Sequence, residues 1–329
     1  MARDTPAVLP IDYDTVHVAA TGHHDTLTDE LIQRGSQIVD IREDLVFSSG
    51  QPGPAAWAQN SWLAPREYHI DSIGQAARQL RALQRNWHTH SIAHHRRSQL
   101  IADKLPSIRF RPMTFPAPLP SASLGVFCLL ERNRLLASPA CSSAFADGRP
   151  VFVEDREGPP NRAYLKLWEA LTLAGARPEP GQTCIDLGAA PGGWSWVLAE
   201  LGANVVAVDR AALAPTLAKH PRVHSLRGDA FAIDCEDVPT PDWILSDVIA
   251  YPTRLRELAE YWCRTCPQAR VILTVKCQGA VDPAEIADFL AIPGARLRHL
   301  SANKHELTFF RLPEGGPADS ASAQNQSGH

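Results

Sequence analysis

Eleven residues, Cys184-Ile-Asp-Leu-Gly-Ala-Ala-Pro-Gly-Gly-Trp194, carry the features with which a backbone holds a small nucleotide-like molecule. A short apolar run ends in the acid Asp186. A turn with Gly188, Pro191, Gly192 and Gly193 follows at once, and a helical stretch opens at Trp194. Glycine lets main chain approach a ligand, and the first turn of a helix offers free N–H groups there. Two further acids stand at matching places. Asp209 ends the run Val205-Val-Ala-Val208, where a carboxylate accepts hydrogen bonds from ribose hydroxyls, and Asp229, within Arg227-Gly-Asp-Ala-Phe231, is placed to reach an adenine amino group. Each acid alone reads as a loop or cap residue; three at successive strand ends leave little to coincidence. A dinucleotide fingerprint requires G-x-G-x-x-G, and here Gly188 is followed by Ala-Ala-Pro-Gly-Gly, so the second glycine is missing. The set therefore points to an adenosine without a bridging pyrophosphate.

Other chemistry-bearing groups are weaker. Cys263 and Cys266 have a metal-like spacing, but no second pair completes four ligands, and they are expected to be structural cysteines on a helix. The seven cysteines are odd in number and scattered, which fits reduced thiols. His90 and His94 are four apart but lack the glutamate of a zincin motif, and are expected on a solvated or RNA-facing surface; no metal is expected. The chain of 329 residues has a net charge of −4, unevenly distributed. Between positions 78 and 111 lie eight bases and one acid, Asp103. Arg78, Arg81 and Arg85 fall on one side of a helical period whose apolar stripe runs Ile70, Ile73, Ala77, Leu80, Leu83 and Trp87. Arg96 and Arg97 continue the basic character, and the five arginines together are the candidate RNA contact.

The elements that must position these groups divide near residue 150. Before it, short β-like runs (15–19, 37–41), a polar helix near 28–34 and a hairpin of 124–130 with 134–137 suggest a small α+β domain. Five prolines between 106 and 120 suggest an extended connector, and Glu157-Gly-Pro-Pro160 a second linker. After it, β-like runs at 183–186, 204–209, 223–227, 243–247, 270–276, 295–300 and 306–312 alternate with helical stretches, one of them capped by Asn161. That alternation predicts a doubly wound α/β domain over 151–313. Only five residues separate the last two strands, too few for a crossover, so the final strand must run antiparallel. Residues 314–329 are rich in Gly, Ser, Ala and Gln and are expected to be disordered.

Asp186-Leu-Gly-Ala-Ala-Pro-Gly-Gly-Trp194, Ser246-Asp247, Val275-Lys276 and Asn161-Arg-Ala-Tyr-Leu-Lys166 resemble the FtsJ-type ribose 2′-O-methyltransferases. Within them the sequence is most similar to the branch that methylates a cytidine ribose in large-subunit ribosomal RNA. The resemblance covers about 155–312. It implies a Rossmann-like methyltransferase sheet, S-adenosylmethionine as cofactor, ribosomal RNA as partner, and a weakly matched THUMP-like RNA-binding region over 1–150. It further implies a Lys-Asp-Lys-Glu set on Lys166, Asp247, Lys276 and Glu306, with Asp247 also beside the cofactor. A ribose hydroxyl is a poor nucleophile near neutrality, and a desolvated lysine beside a second cation gives up its proton more readily than one in water. Lys276 is the expected base and Asp247 its orienter, while Glu306 holds Lys166 or the ribose. The alternative is a non-catalytic RNA-binding or ribosome-assembly factor that keeps the fold. No apolar run spans a membrane and no secretory leader is apparent, so a cytoplasmic monomer is expected.

Overall fold

A computed structural model describes residues 6–50, 53–277 and 282–313, so the stretch 314–329 expected to be disordered lies outside the described residues. The chain forms two compact units. Unit 1 comprises Met1–Met113 and Pro120–Val151, and unit 2 comprises Thr114–Leu119 and Phe152–His329.

Unit 1 contains strands β1 (Ala7–Leu9), β2 (Thr15–Ala19), β3 (Gln37–Arg42), β4 (Leu45–Ser49), β5 (Ala58–Trp62), β6 (Arg66–His69), β7 (Trp87–Thr89), β8 (Gly125–Glu131) and β9 (Arg134–Ser138), with helices α1 (His24–Gln33), α2 (Ile73–Leu83) and α3 (His95–Ala102). They make a five-stranded sheet in the order β1-β6-β9-β8-β7 and a four-stranded sheet in the order β3-β4-β2-β5. Strand β8 is apolar at nearly every position because both of its faces are covered. Val126, Cys128 and Leu130 join Val16, Phe47 and Trp62 of the smaller sheet, and Phe127 and Leu129 join Ala77, Leu80 and Ile101 of α2 and α3.

The apolar period from Ile70 to Trp87 overruns the helix at both ends, since α2 covers only Ile73–Leu83. Trp87 starts β7, and its indole N–H donates to the carbonyls of Leu80 and Gln84 at 2.9 and 3.0 Å, reinforcing the end of α2, where Leu80 also accepts from the Gln84 N–H. Strand β5 has no hydrophobic signature in Gln59-Asn-Ser61, yet all three are buried, and Ser61 Oγ lies 2.8 Å from His17 Nδ1.

The expectation of a surface His90 is corrected by the structure. Its ring is buried between Asp147 (Nδ1, 2.8 Å) and Asp44 (Nε2, 2.9 Å). Burial pulls its pKa down, and the hydrogen bonds to the two carboxylates outweigh that and raise it to about 9. His94 is exposed, with φ at 51°, just before α3. Among the described residues, no cluster of three or more His, Cys, Asp or Glu side chains is arranged to hold a metal ion, and Cys263 and Cys266 at the end of α7 (Pro252–Thr265) are free thiols. No helix among them is long and apolar enough to cross a membrane.

Unit 2 is an α/β domain of the expected kind. Helices α4 (Tyr164–Ala174), α5 (Gly193–Glu200), α6 (Pro215–Ala218), α7 and α8 (Pro283–Leu290) accompany strands β10 (Thr183–Leu187), β11 (Asn204–Asp209), β12 (Val223–Arg227), β13 (Trp243–Ser246), β14 (Arg270–Lys276), β15 (Ala295–Arg298) and β16 (Glu306–Arg311). The sheet order is β12-β11-β10-β13-β14-β16-β15. Strand order reverses beside β10, so the carboxyl ends of β10 and β13 flank the crevice in which such sheets bind ligands. Strand β16 is antiparallel to both of its neighbours.

Side chains alternate across β10. Cys184 and Asp186 face α5, and Cys184 shares its apolar cluster with Leu167, Leu171, Val197 and Leu198. Asp186 is 1% exposed and accepts from Ser195 Oγ of α5 at 2.6 Å. Burial, opposed by the Ser195 hydrogen bond and helped by the nearby charges of Asp247 and Asp209, raises its pKa to about 7.

The folded chain therefore keeps a proton on Asp186 that the unfolded chain releases near pH 4. Stability from this group is full below that value, declines as pH rises to about 7, and is level above. The shift corresponds to a loss on the order of 4 kcal/mol. Asp186→Asn, which keeps an acceptor for Ser195, should match the wild type near pH 4 and exceed it in stability at pH 8, measured by urea unfolding at the two pH values. Equal gains at both would contradict the assignment.

Candidate active site

Four elements of unit 2 bring the Lys-Asp-Lys-Glu set together. Lys166 projects from the first turn of α4, Asp247 follows β13, Lys276 ends β14, and Glu306 opens β16 directly opposite Lys276 in the antiparallel register. The Lys166 ammonium pairs with Glu306 Oε1 and lies 3.3 Å from Asp247 Oδ1. Lys276 Nζ lies 3.5 Å from the same Asp247 oxygen and donates to the Asp247 carbonyl at 3.1 Å. Two cations and two carboxylates thus form one chain, Lys276–Asp247–Lys166–Glu306. Their side chains are only 11–20% exposed, which limits screening by water.

The backbone under Asp247 is fixed. Ser246 is fully buried and donates from Oγ to the Leu187 carbonyl at 2.7 Å, while Val248 N–H donates back to Ser246 Oγ at 3.3 Å. Gly188 lets the loops after β10 and β13 touch, because a Cβ there would come within 2.7 Å of Val248 Cβ. The glycines were expected to leave room for a ligand, but the space each vacates is filled by protein. At Gly192, with φ of 116°, a Cβ would meet Leu217, and at Gly193 it would meet Asn161 Oδ1 at 2.1 Å. Any ligand must approach the turn from its backbone side.

Asn161 does not cap α4, whose first residue is Tyr164. It accepts from Ala163 N–H at 3.0 Å and packs on Gly193, so it ties the entry of α4 to the start of α5. Trp194, expected beside the cofactor, is buried in the core, and its indole N–H donates to the Ala163 carbonyl at 3.0 Å. Sequence reasoning missed this coupling of α4 to α5, although a polar Asn within the motif and a Trp at the helix start were its visible signs. Pro191 remains exposed in the turn, and its carbonyl accepts from Ala214 N–H at 2.9 Å.

The acids at the second and third strand ends have partners already. Asp209 accepts from Ala190 N–H at 2.9 Å and Ala211 N–H at 2.8 Å, one on each oxygen. Asp229 accepts from Phe231 N–H at 3.1 Å and pairs with Arg210. That amide, followed by the Arg210 charge, holds the Asp229 carboxyl below the usual carboxylate range. Arg254 lies 4.0 Å over the Phe231 ring. Arg210 was not among the expected residues, although it directly follows Asp209.

The five candidate arginines belong to unit 1. Arg78, Arg81 and Arg85 are exposed on or just past α2, and Arg81 donates to the Lys104 carbonyl at 2.7 Å. Arg96 is exposed on α3, whereas Arg97 is half-buried with its Nε out of solvent.

Residues 159–281 match the family model described as FtsJ-like methyltransferase. A protein of Halorhodospira halophila named ribosomal RNA large subunit methyltransferase M is 44% identical over 108 residues, covering 32% of this chain and 31% of its own length. A protein of the same name from Azotobacter vinelandii is 32% identical over 197 residues, covering 54% of this chain and 55% of its own. The chain thus spans between about a third and just over half of the length of these relatives. The fibrillarin pre-rRNA processing protein of Methanococcus jannaschii superposes with a TM-score of 0.37 at 18% identity over 50% of this chain and 82% of that one, a likeness too loose to bear on the assignment. The matched segment contains the glycine turn, Lys166, Asp247 and Lys276, so this part of unit 2, on its Rossmann-like sheet, is similar to the FtsJ-like methyltransferases.

Proposed function

We propose that this protein transfers a methyl group from S-adenosylmethionine to a ribose 2′-hydroxyl of large-subunit ribosomal RNA in the cytoplasm. The observation that carries the reading is the Lys276–Asp247–Lys166–Glu306 chain at the strand ends beside the glycine turn. An inert scaffold has no use for two half-buried lysines sharing one carboxylate, which disfavours the assembly-factor alternative.

The donor set suits an adenosine. Each oxygen of Asp209 accepts one amide and retains a second lone pair for a ribose hydroxyl. Asp229 would share its carboxylate between Arg210 and the adenine amino group. Gly188, Pro191, Gly192 and Gly193 would present main chain to the rest of the molecule, with Asp186 braced behind them. When bound, S-adenosylmethionine supplies an electrophilic methyl on a sulfonium sulfur.

The protein's own part is to position the hydroxyl and take its proton. Lys276 Nζ, held by both the carboxylate and the carbonyl of Asp247, is the group proposed to accept that proton, after it has released one of its own to solvent and stands as the neutral amine. Asp247 fixes where Nζ points. Lys166 shares the negative charge of Asp247, and Glu306 keeps Lys166 from collapsing onto it. Holding the oxygen in line with the methyl supplies much of the rate gain, and proton removal a further factor.

Lys276→Ala and Asp247→Ala should each lower methyl transfer to ribosomal RNA by at least about 100-fold. Calorimetric affinity for S-adenosylmethionine should stay close to wild type for Lys276→Ala, and NAD should not bind. Near-normal turnover in either variant would remove these residues from the mechanism.

Unit 1 is proposed to hold the RNA, in the role that a THUMP-containing region has in the branch this sequence resembles, with Arg78, Arg81, Arg85, Arg96 and Arg97 against phosphates. Counterion release links each phosphate contact to a slope of about 0.7–0.9 in log affinity against log salt. Replacing Arg78, Arg81 and Arg85 together with glutamine should weaken RNA binding and reduce that slope by roughly 2, measured by filter binding across a salt series. An unchanged slope would make α2 an ordinary solvated helix.

A further inference from the structure

Helix α4 carries a second charged group toward the same part of the sheet. Glu169 lies three residues after Lys166, on the same side of the helix, and is 3% exposed. Its Oε1 accepts from Ser301 N–H at 2.8 Å and Ser301 Oγ at 2.7 Å, and its Oε2 accepts from Ala302 N–H at 3.3 Å. Ser301 and Ala302 sit in the turn that leads into Glu306. The rest of that turn is braced too. Asn303 Nδ2 donates to the Glu306 carbonyl at 3.0 Å and to Thr308 Oγ1 at 3.3 Å, the His299 ring Nε2 lies 3.1 Å from the Lys304 carbonyl, and Cys277 N–H donates to the His305 carbonyl at 3.1 Å.

The geometry points to Glu169 as a positioning residue for methyl transfer: by gripping the 301–302 turn it sets the height and rotation of α4 against β16, and so the meeting of Lys166 with Glu306. This rests on the catalytic reading of the Lys166–Asp247–Lys276–Glu306 set. A buried carboxylate is a costly means of fastening a loop that apolar packing around Leu300 already anchors. What it adds is direction. Three donors converging on one carboxylate fix the turn relative to the helix to within a hydrogen-bond length, whereas apolar contacts permit sliding. Lys166 and Glu169 are then two grips of one helix on one segment, the fully buried one setting the geometry of the other.

The test uses the full chain and an RNA substrate that the wild type methylates. Glu169→Ala should lower kcat roughly 10- to 100-fold, the penalty typical of a small misplacement of a catalytic group, with KM for S-adenosylmethionine little changed. Glu169→Gln, which keeps an acceptor for Ser301, should recover most of that loss. In a Glu306→Gln background, adding Glu169→Ala should cost little more, because the pair it positions is already gone. Ser301→Ala removes only the hydroxyl donor, and should lower kcat in the same direction should Glu169→Ala fail to fold. Independently of turnover, acetylation of Lys166 by acetic anhydride, read by mass spectrometry with exposed Lys219 as reference, should accelerate in Glu169→Ala and not in Glu169→Gln. Losses that add fully in the double variant, or Lys166 labelling that does not change, would overturn the assignment. A wild type that methylates no RNA would instead refute the catalytic reading, and the labelling result would still decide whether Glu169 places Lys166.

Discussion

The charged rim of unit 2 depends on one carboxylate being shared by two ammonium groups. Asp247 Oδ1 lies within 3.5 Å of both Lys166 and Lys276, and Glu306 takes the far side of Lys166. Two like charges so close, and so little exposed, repel unless counter-charges are fixed between and beside them. The fixing is done by backbone. Asp247 hangs from a buried serine that is bonded to the neighbouring strand, and Glu306 and Lys276 face each other by strand register. Removing either carboxylate leaves a cation without compensation, so the four groups stand or fall as a unit.

The sheet shows why this unit can form at residues so far apart in sequence. Parallel strands deliver their carboxyl ends to one rim, which places Asp186, Asp209, Asp247 and Lys276 there in turn. The antiparallel strand β16 brings its amino end to that same rim. A carboxylate at the start of a strand can therefore meet a lysine at the end of the adjacent one. Had β16 run parallel, Glu306 would sit at the opposite edge of the sheet.

Much of this was legible in the residues. Strands β10, β11, β13 and β14 stood out because buried parallel strands are short, apolar and bounded by turn residues, and the five-residue gap before 306 fixed the direction of the last strand. The four charged positions came from the resemblance, since no spacing argument links 166 to 306. Where reading by type failed, packing was the reason. Gly192 and Gly193 are glycines because Leu217 and Asn161 occupy the space a side chain would need, and Trp194 fills core rather than a ligand site. His90 read as a surface residue in a basic stretch, but Asp44 and Asp147, from distant parts of unit 1, enclose it. Strand β5 was hidden because its buried positions are Gln, Asn and Ser, satisfied by partners that no local pattern reveals.

The antiparallel closing strand also orders events in time. Glu306 lies beyond residues 159–281, the segment that matches the family, and is the last of the four charged groups to be made. During synthesis the parallel part of the sheet, its glycine turn and both lysines are made first, but a domain generally folds as a unit. The half of the site that would hold a methyl donor is thus made before the half that would steady the acceptor, and the two are set together when β16 pairs with β14. Until β16 pairs with β14, Lys166 has no Glu306 to oppose Asp247, and the charged rim has yet to acquire its fourth group.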